Sequence, residues 1–163
     1  MSATLLTDPT VAFIEREVAI DLASASADHR PSSCRGFACR ASPDRQRLTL
    51  FVRREEARQL LQDVLAQDVI AVVFCLPETE AALQIKGRQI ALSAASADDM
   101  LDIQRYRDAF IDGIVALGYP RPFAEAYMAV DVGQMVAIGF QPEAVFEQTP
   151  GPRAGQPVGQ EAA

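Results

Sequence analysis

The chain has 163 residues, 49% of them apolar, and a formal net charge of −7. That length and apolar content fit one domain with a packed core and exclude a disordered chain. A net acidic chain is a poor general nucleic-acid binder, and no apolar run approaches the roughly 20 residues of a membrane helix. The opening "MSATLLTDPTVAF" has no basic residue before its apolar patch, so it is a poor signal peptide. The expectation is a cytoplasmic protein with neither nucleic acid nor a membrane as partner.

In chain order, residues 1 to about 16 read as a short leading helix, with Asp8-Pro9 resembling an N-cap followed by proline at the first helical position. Glu17 to Ala23 alternates, Val18, Ile20 and Leu22 against Ala19, Asp21 and Ala23, and reads as a first strand. Ser33 to Ala41, "SCRGFACRA", reads as a second strand with a glycine inside. Drawn straight, it puts Cys34, Gly36, Ala38 and Arg40 on one face and Arg35, Phe37 and Cys39 on the other. "SPDRQ" is a hairpin loop, and Arg47 to Val52 a third strand.

Arg54 to Leu65 changes to helical period, with Ala57, Leu60, Leu61, Val64 and Leu65 as its apolar face. "VIAVVFCL", Val69 to Leu76, is too short for a typical helix and rich in β-branched residues, so it reads as a strand buried on both faces. In "AALQIKGRQIAL", Ala81 to Leu92, the apolar residues change parity between Ile85 and Ile90. A β-bulge at Gly87 would return them to one face and aim Gln84 and Lys86 away from the core. Ser96 to Gly118 reads as a long helix with a capping-box-like start at Ser96 and Asp99 and a stripe of Ile103, Tyr106, Phe110, Ile114 and Leu117. Phe123 to Met128 is a short helix, Gln134 to Phe140 a last strand, and "TPGPRAGQPVGQEAA" from Thr149 an extended Pro/Gly-rich tail after a single domain of residues 1–148. The order β-β-β-α-β-β-α-β lacks strict βαβ alternation. It points to a mainly β fold: a small barrel of six or so mostly antiparallel strands with two main helices outside.

The chemical inventory is sparse. His29 is the only histidine, so multi-histidine metal sites are excluded, and no GxSxG, GxGxxG or P-loop is present. Cys34, Cys39 and Cys75 form no CxxC pair and read as small buried thiols of a reducing compartment. No metal site and no catalytic side chain are expected. Charge, however, is uneven. Residues 30–58 hold eight arginines against Asp44, Glu55 and Glu56, a segment of +5 that leaves −12 for the rest. Gly36 lets a ligand approach the backbone, Arg40 can fork onto a phosphate, and Arg53, Arg54 and Arg58 lie at a strand end and a helix start where anions are favoured. These elements can converge on one phosphate.

The run "P-x-x-x-RGFACR", then "LTLFV", the amphipathic helix, "IAVVFCLP" and "ALQIKG" resemble the pyridoxamine 5′-phosphate oxidase-like, FMN-binding split-barrel family over roughly residues 17–155. The tail "FEQTPGPRAG" is similar to that of uncharacterised members. The resemblance implies FMN in the groove of a homodimer. It implies contacts from Arg35, Gly36, Phe37, Ala38, Cys39 and Arg40 on the second strand, from Phe51 and Val52 on the third, and from Gln84, with Lys86 beside it, on the fifth. The family's phosphate-gripping Ser-Arg-Lys is replaced by "RREEAR", so Arg53, Arg54 or Arg58 would have to substitute, against Glu55 and Glu56. The true oxidases bind pyridoxal phosphate with a C-terminal segment containing tryptophan, arginine and histidine; this chain has no tryptophan and ends differently, so vitamin B6 oxidation is not implied. The expected function is an FMN-dependent oxidoreductase that takes a small-molecule substrate or a nicotinamide donor. The alternatives are a flavin carrier without turnover and a structural split-barrel dimer that has lost FMN.

Overall fold

The computed structural model describes residues 5–158. Its elements are α1 (Asp8–Ile14), β1 (Ala19–Ala25), β2 (Pro31–Ala41), β3 (Leu48–Arg53), α2 (Arg58–Gln67), β4 (Ile70–Cys75), β5 (Ala82–Ala94), α3 (Ala97–Ala116), α4 (Arg121–Tyr127) and β6 (Met135–Glu147). The six strands pair antiparallel and close into a barrel in the order β1-β2-β3-β6-β5-β4. The fold is mainly β, as the element order predicts.

Period-two alternation fills the barrel. Ile20 and Leu22, Leu48, Leu50 and Val52, Val72 and Phe74, Ile85, and Ile138 and Phe140 are all fully buried. The long β6 seals the sheet by pairing with β3 on one side and β5 on the other. α2 packs across the barrel end where β1 finishes and β2 begins: Ser32 donates to Asp63 at 2.5 Å, and Ile90 N–H donates to Asp68 at 2.9 Å. α1 lies by the other end of β2, with Leu6 and Ile14 buried and the Ala41 N–H donating to Glu15 at 2.8 Å. α3 packs on β2, and α4 on α3. No helix among the described residues is long and apolar enough to cross a membrane.

Several local expectations are corrected. Thr7, not Asp8, caps α1. α2 begins at Arg58 after a turn, and its buried face is Leu60, Asp63 and Val64, while Leu65 points to solvent. Asp63 takes the inner position because Ser32 and Gln59 both donate to it, which offsets the cost of burying a carboxylate. β4 is not buried on both faces: Ile70, Val72 and Phe74 are inside, and Ala71, Val73 and Cys75 are half-exposed outside. Leu117 is the exposed C-cap of α3 rather than core, and Gly118 follows with φ +100°, a conformation that favours glycine. β6 runs seven residues past Phe140, through Pro142, because Pro142 sits at an irregularity opposite Gly87 where Glu143 is the extra residue. The chain after β6 folds back, with Gly155 N–H donating to the Glu147 carbonyl at 2.7 Å and Phe146 bridging Pro157. Residues 159–163 of the expected tail lie outside the described residues.

The irregular "AALQIKGRQIAL" strand is bulged, with the extra β5 residue between Arg88 and Ala91 rather than at Gly87, and Gln89 takes φ +54°. Gly87 has a different task. A Cβ there would lie 2.3 Å from the Gln141 carbonyl oxygen and 2.4 Å from the Phe140 ring, so the barrel closes only over a bare backbone.

Candidate functional site

A second bulge shapes the arginine run on β2. Gly36 pairs with Val52 and Cys39 with Leu50, so one extra residue lies between them, and Ala38 takes φ +68°. A one-residue shift reverses every later side chain. Cys34, Gly36 and Cys39 therefore face the barrel interior, and Arg35, Phe37 and Arg40 share the outer face. This corrects the straight-strand assignment. Gly36 is not an opening for a ligand, because Ile20 and Leu22 fill the space a Cβ would occupy, at 2.7 and 2.8 Å. Cys39 and Val52 are likewise core residues.

The outer face of β2 and β3 thus collects Arg35, Phe37, Arg40, Phe51 and Arg53, and α3 and α4 cover it. Arg40 forks onto two carboxylates of α3, Asp99 at 2.7 Å and Asp102 at 2.6 Å. The hydrogen bond to Asp99 is the largest influence holding the Arg40 guanidinium above its ordinary pKa. Burial pushes Asp99 up, but the Ser96 N–H and Arg40 outweigh it and keep the carboxyl below its usual value. Arg35 lies between the rings of Phe110 and Tyr127, 4.6 and 4.7 Å from their centroids, and donates to the Tyr127 hydroxyl at 3.0 Å. Its Nε and Nη2 are buried with no hydrogen-bond partner among the described residues. Arg53 lies over Phe37 at 4.4 Å and donates to the Tyr127 and Ala129 carbonyls and to Glu56. Tyr127 is therefore held by both arginines, its ring and hydroxyl by Arg35 and its carbonyl by Arg53.

The expected single phosphate site does not assemble. Arg40 is opposite Thr49, four residues from Arg53, which is roughly 13 Å along a strand. Arg58 is exposed on α2, with Glu55 at 3.9 Å as its ion-pair partner. Gln84 and Lys86 point outward from β5, across the barrel from β2. They face outward by plain alternation about buried Ile85, because the extra β5 residue comes only after Arg88, and Lys86 sits 5.1 Å from the Phe146 ring. Within one chain, then, the twelve expected residues divide into an outer β2–β3 cluster of Arg35, Phe37, Arg40, Phe51 and Arg53, the bulge residue Ala38, the core residues Gly36, Cys39 and Val52, the β5 pair Gln84 and Lys86, and Arg58 on α2.

A groove of about 620 Å³ runs between the bulge and α3, lined by Ala38, Cys39, Arg40 and Ala41 on one side and by Asp102, Arg105, Tyr106 and Ala109 on the other. Its volume is that of a small-molecule site. Tyr106 is anchored by donating to the Val18 carbonyl at 2.6 Å, and burial pushes its hydroxyl well above the ordinary tyrosine range. Burial also raises the Cys34 thiol to about 12 and Cys39 further, so neither is a thiolate nucleophile at neutral pH. No group of three His, Cys, Asp or Glu among the described residues is placed to hold a metal.

No family model matches the chain, and no curated protein matches it. Solved structures do match. A putative pyridoxamine 5′-phosphate oxidase from Lactobacillus delbrueckii is 12% identical, with 90% of this chain and 97% of that one covered and a TM-score of 0.55. A pyridoxamine 5′-phosphate oxidase-related, FMN-binding protein from Nostoc punctiforme is 16% identical, covering 94% and 89%, at TM-score 0.52. The fold is that of the pyridoxamine 5′-phosphate oxidase-like split barrels. An F420 reductase shares this split barrel at 17% identity and TM-score 0.54, covering 82% of this chain and 93% of that one.

Set against FMN, the split barrel here fits in part. The groove has the size for a flavin ring and borders the Arg35–Arg40 run. Its guanidiniums, however, are paired with carboxylates: Arg16 with Glu17 at 3.1 Å, Arg40 with Asp99 and Asp102, and Arg105 with Asp102 at 3.6 Å. The phosphate grip is not met. Sequence reasoning missed Asp102, Tyr106 and Tyr127 as parts of this site. Asp99 and Asp102 carried a usable signal, since i,i+3 spacing puts both on one helix face.

Proposed function

We propose that the chain is a flavin-binding split-barrel protein acting as a flavin-dependent oxidoreductase, with the flavin ring in the groove beside Ala38–Arg40. The observation that carries this reading is the groove itself, bordered by the bulged part of the arginine run. A bound flavin supplies hydride and single-electron chemistry, so no side chain need be a strong acid or base. The chain's own task is to bind and orient: Tyr106, fixed through its hydroxyl, forms one wall, and the backbone of Ala38 and Cys39 forms the other.

A homodimer belongs to the same reading. Gln84 and Lys86 lie across the barrel from β2, so they reach a flavin only if contributed by a second copy. The β4 outer face offers Ala71, Val73 and Cys75, half-exposed, for such a contact. The electron donor would be a nicotinamide or a small-molecule substrate. The three free thiols support a cytoplasmic setting. The paired arginines favour a second reading, a split-barrel dimer that has lost FMN or only carries it. Flavin absorbance after saturation and desalting separates the first reading from a dimer that binds none. Anaerobic bleaching by NADH or NADPH then separates turnover from carriage. A protein that keeps no flavin overturns the proposal.

A further inference from the structure

The pairing of the groove's arginines defines the kind of flavin it admits. We propose that the groove takes a flavin without its phosphate, of the riboflavin class, and that Asp99 and Asp102 occupy the guanidinium a phosphate would use. The inference rests on the flavin reading above and adds the ligand's charge.

Four carboxylates, Glu15, Glu17, Asp99 and Asp102, stand against three guanidiniums, Arg16, Arg40 and Arg105, at the groove and its rim. Arg40 is the one basic side chain of the β2 run that reaches the groove. Both of its terminal nitrogens are already committed, Nη2 to Asp99 and Nη1 to Asp102. That is the forked geometry a phosphate uses. A dianion entering here must separate Arg40 from two carboxylates and then sit beside them, against like-charge repulsion. The other two guanidiniums at the groove also face carboxylates, Arg16 with Glu17 at 3.1 Å and Arg105 with Asp102 at 3.6 Å. Arg35 is sandwiched between two rings, Arg53 is spent on two backbone carbonyls and Glu56, and Lys86 lies across the barrel. A neutral flavin meets none of these penalties, because its ring can contact Ala38, Tyr106 and Ala109 while the Arg40 ion pairs stay intact.

The test is equilibrium titration of the full chain with riboflavin and with FMN, followed by flavin fluorescence at low ionic strength. The wild type is expected to bind riboflavin about tenfold or more tighter than FMN. Asp102→Asn and the Asp99→Asn/Asp102→Asn pair should raise the affinity for FMN relative to riboflavin by about tenfold or more. Asp99 also closes the capping box of α3, so the single Asp102→Asn variant reads the effect if the double variant fails to fold, and circular dichroism reports an intact fold. FMN binding as tightly as riboflavin to the wild type, or carboxylate removal leaving FMN unchanged relative to riboflavin, overturns this inference while the flavin reading stands. Binding of neither flavin overturns both.

Discussion

Gly87→Ala tests whether barrel closure depends on a bare backbone at that position. The new methyl would sit 2.3 Å from the Gln141 carbonyl oxygen and 2.4 Å from Cδ2 of Phe140, whose side chain is fully buried. Neither neighbour can yield cheaply: one is backbone held in the β5–β6 ladder, and the other is a ring packed inside the barrel. Overpacking of this kind costs about 1–3 kcal/mol or more, against which alanine returns roughly 0.5–1 kcal/mol through a less flexible unfolded chain. The net expectation is a loss of about 1–2 kcal/mol, or roughly 2–8 °C in Tm for a chain of this size. Gly113→Ala is the control. It lies inside α3 with only Glu17 Cγ near, at 4.0 Å, and should gain about 0.5–1 kcal/mol. Urea and thermal melts followed by circular dichroism measure both. A Gly87→Ala protein as stable as wild type would refute the close approach.

Ser32→Ala removes the hydroxyl that donates to buried Asp63 at 2.5 Å and should cost about 2 kcal/mol in a urea melt. No loss would show that Gln59 satisfies the carboxylate alone. Tyr106→Phe, which leaves the Val18 carbonyl without its donor, should cost about 1 kcal/mol and is checked the same way. Burial raises the Cys34 thiol from 9.0 to about 12. Above pH 9 the unfolded chain releases this proton and the folded chain holds it, so the contribution is complete below pH 9 and is lost as pH rises toward 12. Stability against pH for Cys34→Ala should therefore fall less steeply over that window, and parallel curves would contradict the assignment.

The sequence showed the architecture more clearly than it showed the site, and the two bulges account for much of the difference. Leu48, Leu50 and Val52, or Ile20 and Leu22, alternate without interruption, and their faces were legible because period two survives in the structure. Between Gly36 and Cys39 the period breaks at Ala38, a residue with no turn signature, and the straight-strand reading put Arg40 and Arg35 on opposite faces. On β5 the parity of the apolar residues announced a bulge, but glycine drew the assignment to residue 87, whereas Gln89 adopts the positive φ. Both errors have one physical source: a bulge is fixed by what the partner strand leaves unpaired, which the strand's own residues do not record.

Partner choice was the other hidden quantity. The arginine count between residues 30 and 58 was plain, and a basic patch looked open to a phosphate. In the fold, Asp99 and Asp102, about sixty positions further along, take up Arg40. Tyr127 and Phe110 take up Arg35. Such long-range pairing follows from α3 and α4 lying on the outer face of β2, and helical period alone could not say which strand they would cover. Asp63 inside α2 is the same case, because a carboxylate becomes a core residue only once Ser32 is brought to it.

The central claim, a flavin seated between Ala38–Arg40 and α3, is tested most directly by filling the groove from its exposed side. Ala109 lines the groove at the surface of α3, outside the core, so Ala109→Trp should block the space without disturbing the fold. Flavin titration of the two proteins, using riboflavin and FMN in parallel, is the measurement. The account predicts that the wild type binds flavin and that Ala109→Trp, with an unchanged melting temperature, loses affinity by about a hundredfold, the equivalent of roughly 2.7 kcal/mol. Undiminished flavin binding by Ala109→Trp would place the flavin elsewhere on the barrel, and no binding by the wild type would remove it altogether.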